Sequence, residues 1–429
     1  MTYTVALLAG LSGFHDITDA SIGRAIVTPS VRATGTMAAA RAAGFRPLWL
    51  SLSSVAFGTA IGQVALLWVT LELTQSPFAV AVTLASRLAP SLILGIPLGS
   101  LADRVDRHLL LIWANLAGAA TAIAVAVGAF VGAMDVPLIL LVSFVFGSID
   151  TMRTTATQAY VYDLVGSPLA TSGIALSNLG SHLASSVGAV LGGLVLASWS
   201  LGAAFLFATL TWLVAAGLLV RSPSPRASTA IQPKVSMRRT VTLFLRSHSV
   251  AAIAVLVILA EVFGFSSAAL VPTCARDILL VDAAGLGVLV AARSLGGVLG
   301  LAWLATIGSH RRGGRLILGV TGAFGATLVV FALSGSFAIS TIVMFVSGAA
   351  AAMLDTLGQT LLQRTAPDQE RGAAMGVWVF SVGFGPIGFL LLGAAATLSG
   401  APVVQLVSGI VLIIVALAMA RFTSLPTAR

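Results

Sequence analysis

The chain has 429 residues, of which 58% are hydrophobic and only 9% charged, with a formal net charge of +9. A soluble protein draws about a quarter of its residues from Asp, Glu, Lys and Arg, so this composition, with a mean hydropathy of +1.04, describes an integral membrane protein. One cysteine, Cys274, and five scattered histidines exclude a disulfide framework and a structural zinc site, and no polar domain exists to carry a basic nucleic-acid-binding face.

Residues 1–45 precede any spanning segment. Their one apolar run, Val5 to Phe14, is too short to cross hydrocarbon, which takes about 20 residues, and no basic residue precedes it as in a signal sequence. The segment reads as a poorly ordered, dispensable cytoplasmic extension, or else as a short regulatory or interfacial one. Met37 is a candidate start, because Met37-Ala-Ala-Ala-Arg41 leads into Arg46 with the basic flank an inside terminus needs.

Twelve apolar segments follow, at 48–71, 77–99, 109–131, 137–159, 168–197, 201–220, 250–271, 283–307, 316–335, 337–362, 372–397 and 402–420, numbered here as spans 1 to 12. They are continuous runs rich in Gly and Ala, not the alternating ten-residue strands of a β-barrel. The expected fold is therefore an all-α membrane protein. Basic residues mark the cytoplasmic side: with the N-terminus inside, 19 of the 23 Lys and Arg fall in inner segments, Arg276 alone in an outer loop, and Arg87, Arg153 and Arg293 within spans. Both termini are expected to be cytoplasmic, in a multi-pass protein of the cell (inner) membrane.

Between spans 6 and 7 lies the one long polar stretch, 222–249, with basic residues and no acid. It reads as a tether held at anionic lipid, where each basic residue contributes roughly 1 kcal/mol. It divides the chain into a bundle at 46–221 and a second at 250–421, with a tail at 422–429. An internal repeat supports the division. Asp150-Thr151 corresponds to Asp355-Thr356 at an offset of 205, as do Thr155 to Thr360, Gln158 to Gln363 and Asp163 to Asp368, and Arg87 corresponds to Arg293 at 206. Twelve helices in two pseudo-symmetric six-helix bundles suit a transporter whose central site opens alternately to each side.

The loop after span 2 reads Gly99-Ser100-Leu101-Ala102-Asp103-Arg104-Val105-Asp106-Arg107-His108. It resembles the G-x-L-A-D-R-x-G-R-[KR] signature of the major facilitator superfamily, with Asp106 in place of Gly and His108 in place of Arg or Lys. The resemblance implies a conformational latch at Gly99, Asp103, Arg104 and Arg107, with Arg153 at its inner side. Asp150 to Arg153 and Tyr162-Asp163-Leu164-Val165 are similar to the enterobactin-exporter and macrolide-efflux subgroup. In span 5, Gly188, Gly192 and Gly193 resemble the end of the drug:proton antiporter motif, with Ala189 in place of its Pro; packing alone would also explain such small residues. The resemblance implies efflux, with multidrug resistance among the associated roles.

An acid within the bilayer is costly and hence a functional candidate. Glu261 lies near the middle of span 7, and the resemblance puts spans 1, 4, 7 and 10 around the cavity. Glu261 reads as a proton carrier or as a static hydrogen-bonding group, and Asp150 and Asp355 are further candidates for proton coupling. Asp150 has Arg153 one turn away, Asp355 is expected to find Arg311 or Arg312, and His182 reads as a packed polar residue. Gln63, Trp68, Phe265, Ser266 and Gln359 are the candidate cavity residues for a small, moderately hydrophobic drug or siderophore. No nucleotide-binding or hydrolase motif is present, so the expectation is a non-enzymatic transporter without metal or cofactor, powered by the proton gradient and acting as a monomer. An importer of the same fold and a non-transporting receptor are the alternatives.

Overall fold

The computed structural model describes residues 39–42, 44–95, 105–166, 169–222, 237–307, 313–367 and 370–422. The first six helices are α1 (Phe45–Thr74), α2 (Pro77–Ile93), α3 (Arg107–Phe130), α4 (Val136–Val165), α5 (Ala170–Ser198) and α6 (Leu201–Val220). A short α7 (Met237–Arg246) leads into α8 (His248–Leu259), which continues through a π turn at Ala260–Gly264 and a 3-10 turn at Phe265–Leu270 into α9 (Val271–Asp277). Then follow α10 (Ala283–Ile307), α11 (Gly313–Leu333), α12 (Phe337–Thr365), α13 (Arg371–Val382), α14 (Gly385–Ser399) and α15 (Ala401–Phe422). The described residues contain no strand.

Eleven helical stretches are long and apolar enough to cross a membrane, counting α8 to α9 and α13 to α14 as one each. The remaining expected span, 77–99, shows 17 helical residues in α2, and its last positions, 96–99, lie outside the described residues. Helix starts follow local chemistry. Ser76, Ser200 and Ser247 accept backbone N–H groups of the first turns of α2, α6 and α8, and Asp135 does so for α4. Gly166 and Gly400, with φ of 73° and 86°, end α4 and α14 in a conformation that glycine adopts without strain.

The N-terminal extension is expected at 1–45; α1 begins at Phe45, and Ala39 and Phe45 are buried in the apolar cluster that α1 shares with α3, α4 and α6. Residues 1–38, including Met37, lie outside the described residues.

The repeat is visible in the helix starts, with a correction to its register. α2 and α10 begin 206 residues apart, as do α3 and α11, but α4 and α12 begin 201 apart, and α5 and α13 likewise. The loss falls in α11, of 21 residues against 24 in α3, and in the turn after it. Gly147 of α4 rests on the backbone of Arg87, and Gly348 of α12 rests on that of Arg293. The repeat counterpart of Asp150 is therefore Ala351, and Asp355 stands about one helical turn further on.

Contacts between the halves lie at the end remote from the linker. α5 packs along α10, and α2 along α14. One core cluster there joins Ala60, Val64 and Trp68 of α1 and Ala189 of α5 to Leu270, Cys274, Ala283 and Leu286, and another joins Leu71, Val80 and Leu84 to Ala269 and Phe389. Arg276 donates to the Leu71 carbonyl at 3.2 Å across the same seam. Toward the linker, the apolar clusters among the described residues stay within one half or the other. Among the described residues, the molecule is closed at one end and parted at the linker end.

Candidate functional site

The parted end exposes two walls. On the first half, α1, α4 and α5 enclose a cavity of about 300 Å³ lined by Thr59, Asp150, Arg153, Thr154, Thr157, Gln158, Ser177, Asn178, Ser181 and Ser185 among others. Asp150 is held on α4 by Arg87 of α2 at 2.5 Å, while Arg153 approaches its other oxygen only to 4.0 Å. The helical spacing predicts Arg153 as its partner, but Gly147 lets α2 come close enough for Arg87 to take that place. Arg153 instead donates to the Asn115 side chain at 3.0 Å and lies over the Trp212 ring at 5.3 Å. A guanidinium buried in this way needs both the hydrogen bonds and the aromatic face to offset lost hydration.

On the second half, Glu261 sits within the π turn and is 8% exposed. An extra residue in a helical turn leaves backbone groups unpaired, and such turns recur at functional sites. Here the Ser266 hydroxyl meets that need: it lies 2.8 Å from the Glu261 carbonyl and 3.1 Å from the Gly385 carbonyl at the start of α14. The Glu261 carboxylate is packed against Gly385, where a Cβ would come within 3.5 Å of Oε2. It accepts no hydrogen bond among the described residues, and it interacts electrostatically with Asp355 of α12 and Arg293 of α10. Asp355 of α12 is exposed and interacts with the Trp378 indole of α13. The expected partners Arg311 and Arg312 lie outside the described residues.

The five expected cavity residues do not line the cavity. Trp68 is buried in the closed seam and donates to Glu72 at 2.6 Å. Ser266 is spent on the two carbonyls, and Phe265 packs edge-on against Phe324 with ring centroids 5.6 Å apart. Gln63 and Gln359 are half-buried elsewhere. The cavity has its own sequence signal, the small polar row Ser177, Ser181, Ser185 at four-residue spacing on α5, opposite Thr154, Thr157 and Gln158 on α4. His182 is half-buried on α5 and absent from the lining.

Of the latch, Gly99, Asp103 and Arg104 lie outside the described residues. Arg107, at the start of α3, pairs with Asp163 near the end of α4 at 2.6 Å. The two departures from the superfamily signature have structural roles. Asp106 caps α3 by accepting the His108 backbone N–H at 2.8 Å. His108 is buried, its Nε2 lies 2.7 Å from the Leu219 carbonyl at the end of α6, and its ring stacks on Tyr160 at 5.8 Å.

Within the span-5 motif, Gly188 and Gly192 receive the backbone of α1 at Phe57 and Ile61, whereas Gly193 receives Ala283 and Ala284 of α10. Ala189 stands where the antiporter motif has Pro, and its carbonyl approaches Gly287 of α10. The motif thus faces two interfaces, one within a half and one between halves.

Comparison with known proteins agrees with this architecture. The family model described as transmembrane secretion effector matches residues 34–428. A Staphylococcus aureus protein named staphyloferrin A transporter is 22% identical over 80% of this chain and 87% of its own length. An Escherichia coli protein named enterobactin exporter is 28% identical over 76% of this chain and 81% of its own. Among solved structures, a nucleoside transporter superposes with a TM-score of 0.73 at 14% identity, covering 88% of this chain and 100% of that one. A bacterial homologue of the lysosomal transporter Spinster, in an inward-facing conformation, gives 0.65 at 13% identity, covering 89% of this chain and 97% of that one. With eleven spanning helices among the described residues and this match, the chain belongs to the transmembrane secretion effector family of the major facilitator superfamily, whose members are membrane transporters.

Proposed function

We propose that the protein is a proton-coupled exporter of a small siderophore-like or drug-like compound, acting as a monomer by alternating access between two six-helix bundles in the bacterial inner membrane. Twelve spans follow if residues 77–99 complete their crossing, and the linker end is then cytoplasmic. In that orientation the parted end is the face that would load substrate from the cytoplasm. The low-identity relatives named for siderophores support the substrate class, and the one named an exporter supports the outward direction.

The observation that carries the reading is Glu261: a nearly buried carboxylate in a π turn, packed against Gly385 at the break between α13 and α14 and in electrostatic range of Asp355 and Arg293. An unpaired charge in such a place is expensive. A proton taken there removes the cost, and its release can be tied to movement of α14. The basic α7, whose Arg238, Arg239 and Arg246 are exposed, would hold the cytoplasmic face against anionic lipid.

The test is uptake of labelled enterobactin and staphyloferrin A into inside-out vesicles under an imposed acid-inside gradient. Accumulation that collapses with a protonophore supports proton-driven efflux. Accumulation of neither compound, or accumulation indifferent to the gradient, overturns it.

A further inference from the structure

The cavity on α1, α4 and α5 has a chemical character that differs from a pocket for lipophilic drugs. Thr59, Thr154, Thr157, Ser177, Asn178 and Ser181 give its lining hydroxyl- and amide-bearing side chains. Ser177 is 5% exposed, and its Oγ, like Thr59 Oγ1, is buried with no hydrogen-bond partner among the described residues. A buried hydroxyl normally has a partner because leaving it unpaired is costly. Two of them lining one cavity point to a polar occupant that completes the set.

Charge gives the occupant its sign. Asp150 is the one carboxylate of the lining; Arg87 pairs with it at 2.5 Å and Arg153 comes no nearer than 4.0 Å. Guanidinium groups stay protonated in proteins, so two cations face one anion and one positive charge is left over. Arg153 uses its Nε on Asn115 and stands far from Asp150 at 4.0 Å, which leaves guanidinium donors free toward the cavity. The titratable groups of the opposing wall, Glu261, Asp355 and Arg293, belong to the other half and are absent from this lining.

We propose that this cavity binds the anionic, oxygen-rich end of the exported molecule, a carboxylate or comparable oxyanion flanked by further oxygens. Arg153 supplies the countercharge, and the α4 and α5 hydroxyl rows take the neighbouring oxygens. The assignment rests on the transporter reading and narrows it, because it excludes lipophilic cations as preferred cargo. It also divides labour between the halves, with substrate recognition on the first and proton exchange on the second.

Equilibrium binding in lipid nanodiscs, with no gradient present, tests this with three probes: citrate, its neutral trimethyl ester, and tetraphenylphosphonium. Citrate at millimolar concentration is expected to bind and raise the melting temperature, and the other two to do neither. Arg153→Gln is expected to weaken citrate about tenfold or more, the loss of one charge-assisted contact. Because Arg153 also packs on Trp212, the double variant Thr59→Val, Ser177→Ala provides a second arm, with about tenfold weaker citrate binding and an unchanged fold. Binding of tetraphenylphosphonium in preference to citrate, no citrate binding at all, or full citrate affinity in the double variant would each overturn the assignment. Failure of gradient-driven flux with citrate binding intact would instead remove the proton-coupled reading and leave the cavity's chemistry standing.

Discussion

Gly193 of α5 and Gly393 of α14, 200 residues apart, occupy matching places in opposite halves. Gly193 receives Ala283 and Ala284, the first residues of α10, and Gly393 receives Pro77, Phe78 and Ala81 at the start of α2. Each glycine lets the second spanning helix of the other half approach backbone to backbone, as small residues do in membrane interfaces. Together they form the closed end of the molecule.

Gly193→Leu or Gly393→Leu is accordingly expected to wedge that end apart, because even a Cβ at either position would overlap its neighbour. Flux should fall about tenfold or more while insertion is retained. Spin labels at Ala133 and Gly335, exposed turns of opposite halves, should report a longer distance in the variants. An unchanged distance would mean that the two glycines serve packing within the closed state only.

The Arg107–Asp163 pair makes a separate forecast. Asp163 is 3% exposed at its side chain, so Arg107→Gln would strand a buried carboxylate and cost roughly 3 kcal/mol or more. Thermal unfolding should show the loss, and the exchange Arg107→Asp with Asp163→Arg should recover part of it. No recovery would show that each residue acts through other neighbours.

At the start of α3, Asp106→Ala removes a side-chain cap and should cost about 1 kcal/mol, with His108→Ala adding the loss of the Leu219 contact and the Tyr160 stack. The two effects should fall short of additive, since the residues share one turn. A double-variant cycle in melting experiments measures the shortfall.

For the N-terminal segment, a chain beginning at Met37 is expected to insert and transport normally. One beginning at Arg46 loses the buried Ala39 and Phe45, and a lost core Phe alone typically costs about 3–5 kcal/mol. Equal melting temperatures for the two would contradict that packing.

How far the sequence discloses this molecule depends on what marks a position. The spans are legible because long apolar runs admit one reading in a membrane, and the break between α13 and α14 is announced by Gly383-Phe384-Gly385-Pro386. The repeat was misregistered from span 4 onward because the residues lost in and near α11 are apolar or turn residues without a landmark, while Asp150 and Asp355 offered a persuasive match one turn out. Trp68 and Ser266 look like cavity residues by type and span, but the closed seam and the π turn that consume them arise from tertiary contacts. The row Ser177, Ser181, Ser185 was readable in principle, since four-residue spacing places all three on one helix face.

The central claim is that Glu261 carries the proton that drives export. Gradient-driven efflux of a labelled siderophore by Glu261→Gln in inside-out vesicles, compared with the wild-type protein at equal membrane content, tests it most directly. The account predicts that acid-inside accumulation is abolished while substrate binding and insertion persist. Undiminished pH-dependent accumulation by the variant would contradict it.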